Sequence, residues 1–104
     1  MRKTAKIACP VERTAQIVGN RWTALIMRDL LLNPSRRYQD LMDSLAGISP
    51  NTLSDRLRML EDNGIVERRF YEQHPPRAEY VLTDKGRALG PVIRAMRDWG
   101  RTHG

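Results

Sequence analysis

Residues 48–64 read I-S-P-N-T-L-S-D-R-L-R-M-L-E-D-N-G, and residues 65–86 continue without a spacer as I-V-E-R-R-F-Y, E-Q-H-P-P-R and A-E-Y-V-L-T-D-K-G. Ser49 is a good N-cap, and Pro50 suits the first helical position, where its missing N–H costs nothing. Leu53, Leu57 and Leu60 then recur at helical spacing, and Asn63-Gly64 ends the run. Two runs rich in β-branched and aromatic residues, 65–71 and 78–82, follow with turn-forming residues 73–76 between them. Thr83 caps a new helix directly after the second run.

A helix leading straight into a two-stranded ribbon is the order of elements in a winged helix-turn-helix. Upstream, Leu41, Met42 and Leu45 mark a helix whose end at Gly47 lies two residues from Ser49, so the link is the turn of a helix-turn-helix unit over about 38–63. The wing is expected over about 65–82. Further upstream, Pro10 opens a first helix with Cys9 at its N-cap, running to Gly19. A second helix, from about Asn20, shows Trp22, Leu25, Ile26 and Leu30 on one face and stops before Pro34. Downstream, residues 83–101 carry Leu89, Val92, Ile93, Met96 and Trp99 on one stripe, with Pro91 expected to kink the helix or restart it. Residues 1–8, with Arg2, Lys3 and Lys6 and no apolar pattern, read as a flexible basic arm. The sum is one α+β domain over 9–104, mostly helical.

The chain has 104 residues and a formal net charge of +6, enough for one modest core and suited to a polyanionic partner. The charge is uneven. Residues 1–47 carry eight Lys/Arg against four Asp/Glu, residues 48–82 five against six, and residues 83–104 five against two. The reading segment is therefore near neutral and must work through individually placed arginines. No stretch resembles a secretory signal or a membrane span, so a soluble cytoplasmic protein is expected, nucleoid-associated when on DNA. One cysteine excludes an internal disulfide or a cysteine-based zinc site within one chain, and two distant histidines suggest no metal, so neither metal nor cofactor is expected.

With Leu53, Leu57 and Leu60 inward, Asn51, Asp55 and Arg58 face outward, and Thr52 and Ser54 flank them. In a major groove Asn51 could pair with adenine, Asp55 could accept from cytosine, and Arg58 could reach guanine or a phosphate. The plain alternative is a wet helix face with Asp55 and Arg58 paired at i,i+3. Arg36, Arg37, Ser49, Arg56, Arg68, Arg69, His74 and Arg77 are the candidates for the DNA backbone, against the alternative that Arg68 or Arg69 neutralises Glu67, Glu72 or Glu79. Tyr38 is expected to place most of its ring in the core.

The chain resembles the HxlR-type regulators, MarR-like bacterial winged helix-turn-helix transcription factors. The matching stretches are C-P-V-E-R from Cys9, W-T-A-L-I from Trp22, L-A-G-I-S-P from Leu45, L-S-D-R-L-R-M-L-E-D-N-G-I-V-E-R from Leu53, P-P-R-A-E-Y-V-L-T-D-K-G from Pro75, and Trp99-Gly100. The sequence departs from the family pattern at Asn20-Arg21 and at Tyr38, where Phe is usual. The resemblance implies a homodimer joined through its first and last helices and reading a palindromic operator in double-stranded DNA. A repressor is the expected sense of regulation, with activation left open by the sequence. It names no small-molecule effector.

The apolar stripe of the last helix gives a local reason to expect that dimer interface, the alternative being that it closes the monomer's own core. Cys9, at a helix N-cap with Lys6 and Arg13 near in sequence, is a candidate sensor of oxidants or electrophiles, against the alternative of an inert packing residue. A winged helix used as a protein-docking module without a DNA target is the competing function. An enzyme is not expected, since Cys9 has no clear base and no cofactor loop is present.

Overall fold

The computed structural model describes residues 8–74 and 76–104, with Pro76 described for its backbone only. The basic arm expected over 1–8 lies, apart from Ala8, outside the described residues. Helix α1 (Pro10–Val18) starts with Pro10 in its first turn and Cys9 as N-cap. Helix α2 (Arg21–Leu32) begins at Asn20, whose side-chain oxygen accepts from the Trp22 and Thr23 amides at 2.9 and 3.3 Å. The buried Thr23 hydroxyl donates to the Ile17 carbonyl at 2.5 Å, fixing the α1–α2 corner. The inner face of α2 is Thr23, Ile26, Met27 and Leu30; Trp22 and Leu25 sit half-buried at its margin.

The expected two-strand ribbon is in fact a three-stranded antiparallel sheet. Strand β1 (Arg36–Arg37) precedes α3 (Tyr38–Ser44), and the sheet order is β1-β3-β2. Arg36 pairs with Tyr80 and Arg37 with Glu79. A two-residue strand carries no readable periodicity and forms only because β3 offers it an edge. Strands β2 (Val66–Gln73) and β3 (Pro76–Leu82) also run further than expected, up to a Gln73–Pro76 pair. A bulge at Tyr71 falls between the Phe70–Ala78 and Glu72–Arg77 pairs.

Helix α4 (Pro50–Asp62) follows α3 across a turn in which Gly47 has φ of 88°, a left-handed conformation that glycine adopts without steric cost. Gly64, at φ of 71°, ends α4 in the same way, and the Ile65 amide closes on the Leu60 carbonyl at 2.9 Å. That closure aims the chain into β2. Thr83 caps α5 (Asp84–Arg87), accepting from the Gly86 amide at 3.1 Å while its own hydroxyl donates to the Gly64 carbonyl. Lys85 Nζ donates to the Asn63 carbonyl at 2.8 Å. The wing base and the end of α4 are thus tied to one point.

Of the kink or restart expected at Pro91, the restart occurs: the run expected over 83–101 is two helices, α5 and α6 (Gly90–His103), with Pro91 in the first turn of α6. Proline cannot donate back to the preceding turn, so it restarts the helix. The core joins Ile26, Met27 and Leu30 of α2 to Leu41 of α3, the three leucines of α4, Ile65, Tyr80 and Leu82 of the wing region, and Ile93 of α6. Among the described residues no helix is long and apolar enough to cross a membrane.

Candidate nucleic-acid interface

The outward face of α4 follows from its inward one. Leu53, Leu57 and Leu60 are 0–1% exposed, and the 100° step of the helix turns Asn51, Ser54, Asp55 and Arg58 to solvent, with Thr52 and Arg56 half-buried at the edges. Asp55 and Arg58 are not paired with one another. No ion pair within 4.0 Å involves Asp55, Arg56 or Arg58 among the described residues, so these groups are available to an incoming ligand.

The start of α4 is fixed by two neighbours. Ser49 Oγ accepts from the Thr52 amide at 3.1 Å and donates to Thr52 Oγ1 at 2.9 Å. Its capping role is formed and uses its proton. From α3, the Tyr38 hydroxyl donates to the Pro50 carbonyl at 2.9 Å and lies 3.3 Å from Ser54 Oγ. The Tyr38 ring is half-buried against the core, as its sequence context suggests, but its hydroxyl acts at the reading surface. Sequence reasoning missed that contact, which spans twelve and sixteen residues.

The backbone candidates divide by position. Arg36 turns inward: its Nη2 is 3.5 Å from Asp29 Oδ2, and Asp29 is 5% exposed. Arg37 stays exposed at the start of α3, 3.5 Å from Asp40. Asp40 Oδ2 accepts from the Arg37 amide at 2.9 Å, so a carboxylate already occupies this helix N-terminus. That backbone hydrogen bond, then the Arg37 charge, holds the Asp40 carboxyl below its ordinary pKa. The Tyr71 side chain, followed by Asp40, raises the Arg37 guanidinium above its own.

Each wing arginine has an acidic neighbour. Arg68 lies 3.7 Å from Glu61 of α4, Arg69 3.4 Å from Glu67, and Arg77 2.8 Å from Glu72 across the strands. Their side chains remain 48–61% exposed, and exposed pairs of this kind contribute about 0–1 kcal/mol. Such pairs can exchange for phosphate at little cost. The exposed His74 sits at the hairpin end, and the wing also displays Phe70 and Tyr71, 52% and 47% exposed, which the sequence reading did not single out. Arg68 lies 5.5 Å above the Phe70 ring.

Away from this face, Cys9 is an exposed free thiol. The α6 stripe divides along its length. Leu89 and Ile93 pack on the protein's own core and Val92 is half-buried, whereas Met96 and Trp99 are 45% and 65% exposed.

A polar helix of Asn, Ser, Asp and Arg, raised by a helix-turn-helix and flanked by a small sheet with arginines at its margins, defines a winged helix-turn-helix DNA-binding protein. Residues 17–104 match the HxlR-like helix-turn-helix family, and the chain belongs to it. It is 42% identical over 92 residues to the uncharacterised HTH-type transcriptional regulator sll1512 of Synechocystis sp., covering 88% of this chain and 67% of the relative. The fold superposes on the redox regulator HypR in its oxidised form with a TM-score of 0.84 at 34% identity, covering 92% and 98% of the two chains. It also matches a solved structure from Porphyromonas gingivalis W83 assigned to the MarR family, with a TM-score of 0.85 at 34% identity, over 99% of this chain and 100% of that one. The family consists of transcriptional regulators rather than enzymes, and its membership favours DNA binding over a docking module without a DNA target.

Proposed function

We propose that this regulator acts as a homodimeric, sequence-specific cytoplasmic repressor that reads a palindromic operator with α4. The unpaired polar face of α4 carries the reading: Asn51, Asp55 and Arg58 stand exposed with no ion-pair partner among the described residues. Asn51 is suited to adenine, Asp55 to the cytosine amino group and Arg58 to guanine, with Thr52 and Ser54 at the margins. Arg37, Arg56, Arg68, Arg69, His74 and Arg77 position the duplex through its phosphates. Ser49 serves mainly as the cap that orients the first turn, and Arg36 acts indirectly by holding β1.

Met96 and Trp99 of α6 are exposed, as is Val11 of α1 at 76%, and each leaves apolar area for a second copy to cover. A two-fold dimer would place two α4 helices about one DNA turn apart. Cys9 supplies a redox input: its thiol reacts with hydrogen peroxide to give a sulfenic acid and one water, and the sulfenic acid condenses with a second thiol to a disulfide, releasing another water. The similarity to HypR, a redox regulator, and the exposure of Cys9 support this part.

Selection from a randomised duplex pool tests the reading. The expected result is a two-fold-related motif, with Asn51→Ala and Arg58→Ala each relaxing preference at one position per half-site by about 1–3 kcal/mol. An enriched motif unaffected by both changes would remove α4 from the assignment.

A further inference from the structure

The Tyr38 hydroxyl stands between two oxygen atoms on the first two turns of α4. It is 2.9 Å from the Pro50 carbonyl oxygen and 3.3 Å from Ser54 Oγ. A phenol has one proton to give. The Pro50 oxygen carries none and can only accept, so the Tyr38 proton goes there. The reverse arrangement would set lone pair against lone pair at 2.9 Å. With the Tyr38 proton given to Pro50, the 3.3 Å contact is a hydrogen bond only when Ser54 donates to Tyr38 Oη, and in that rotamer the single serine proton is used. In that rotamer the exposed Ser54 offers solvent only acceptor lone pairs.

We infer that Tyr38 is a specificity-positioning residue: by accepting the Ser54 hydrogen bond, it makes Ser54 an acceptor on the reading face. This rests on the DNA-reading role of α4 proposed above. A serine with a free proton tolerates donors and acceptors alike. An acceptor-only serine fits the amino groups of adenine and cytosine and faces the acceptor edges of guanine and thymine unfavourably. It is equally unsuited to a phosphate oxygen, so the same geometry assigns Ser54 to a base edge and not to the backbone. Tyr38 itself touches no base in this scheme. It acts through Ser54.

The test is duplex selection with the wild-type protein, Tyr38→Phe, Ser54→Ala and the double variant, followed by anisotropy titrations on the four duplexes that differ at one half-site position. The wild-type protein is expected to favour adenine or cytosine there by roughly tenfold. Tyr38→Phe frees the Ser54 proton and should bring guanine and thymine toward parity at that position while leaving the others unchanged. In the Ser54→Ala background, Tyr38→Phe should have no effect on preference. A uniform loss of affinity across all duplexes in Tyr38→Phe would mark a mere brace and overturn the inference. So would an unchanged preference, or the lack of any position sensitive to Ser54→Ala. If the wild-type protein enriches no motif at all, the DNA reading falls first, a result distinguishable from failure of this inference alone.

Discussion

Arg36 Nη2 lies 3.5 Å from Asp29 Oδ2, and this pair joins the first strand of the wing sheet to the C-terminal half of α2. The Asp29 side chain is 7% exposed and that of Arg36 25%. Asn33 Nδ2 adds a bond to the Asp29 carbonyl at 2.8 Å. Asp29, one of two charged residues within the otherwise apolar stretch 24–32, is thus the anchor of β1. Asp29→Ala leaves Arg36 partly buried without its counter-charge and should cost about 3 kcal/mol, read from urea unfolding. The double variant Asp29→Leu/Arg36→Met should recover most of that loss, because a buried pair can be replaced by apolar groups of similar volume. Equal losses in single and double variants would show that the charge pairing is irrelevant.

Asp40 gives a pH-dependent contribution of defined sign. Its folded-state pKa lies below its ordinary value, chiefly through the Arg37 amide. The stabilisation is therefore present above the unfolded carboxylate pKa of about 3.9 and is lost as pH falls through the lower folded value. Wild type should exceed Asp40→Ala in stability at pH 7, and the gap should close progressively below about pH 4. A gap that persists unchanged into strong acid would remove the ionised carboxylate from the explanation.

Arg77 is paired with Glu72 at 2.8 Å but remains about half exposed. In the proposed complex a phosphate takes the place of that carboxylate. Arg77→Ala should weaken binding to all duplexes alike and reduce the slope of log K against log salt by about 1. Glu72→Gln should strengthen binding to the same duplexes by releasing the guanidinium. An unaltered salt slope in Arg77→Ala would place Arg77 off the DNA path.

Met96 and Trp99 stand exposed beyond the part of α6 that packs on the core. Met96→Glu and Trp99→Glu should each shift sedimentation toward monomer at micromolar protein and leave the unfolding transition of the domain nearly unchanged. Operator affinity should fall in parallel, since a monomer has only one half-site to bind. Preserved dimers in both variants would locate the interface elsewhere.

Cys9 is the one thiol in the chain and is exposed at the start of α1. Graded hydrogen peroxide should alter operator binding by the wild-type protein and leave Cys9→Ser unaffected. Equal responses of the two proteins would exclude thiol sensing.

The outline of the site was legible in the sequence because its signals are local. Ser49-Pro50, the leucine spacing and Asn63-Gly64 delimit α4 to within a residue, and the side chains facing out follow from helical geometry. Among the wing arginines, the Arg69–Glu67 pair was one of the alternatives read from the sequence, but the partners of Arg68 and Arg77 were not legible. Glu61 meets Arg68 across a helix–strand corner, and Arg77 meets Glu72 only because the Tyr71 bulge sets the register. Neither relation has a spacing rule. The arginines at 36 and 37 look equivalent in the sequence, yet strand alternation sends Arg36 toward Asp29 and leaves Arg37 exposed.

What the sequence alone determined is the order of elements, the caps and breaks between them, and the polar face of the reading helix, because each depends on residues within a few positions of one another. Tertiary structure decided the third strand, the inward turn of Arg36, the division of α6 into a core half and a free half, and the hydroxyl of Tyr38 held against Pro50 and Ser54. Those features rest on pairing and packing between distant segments. Only the folded chain brings such groups within hydrogen-bonding distance.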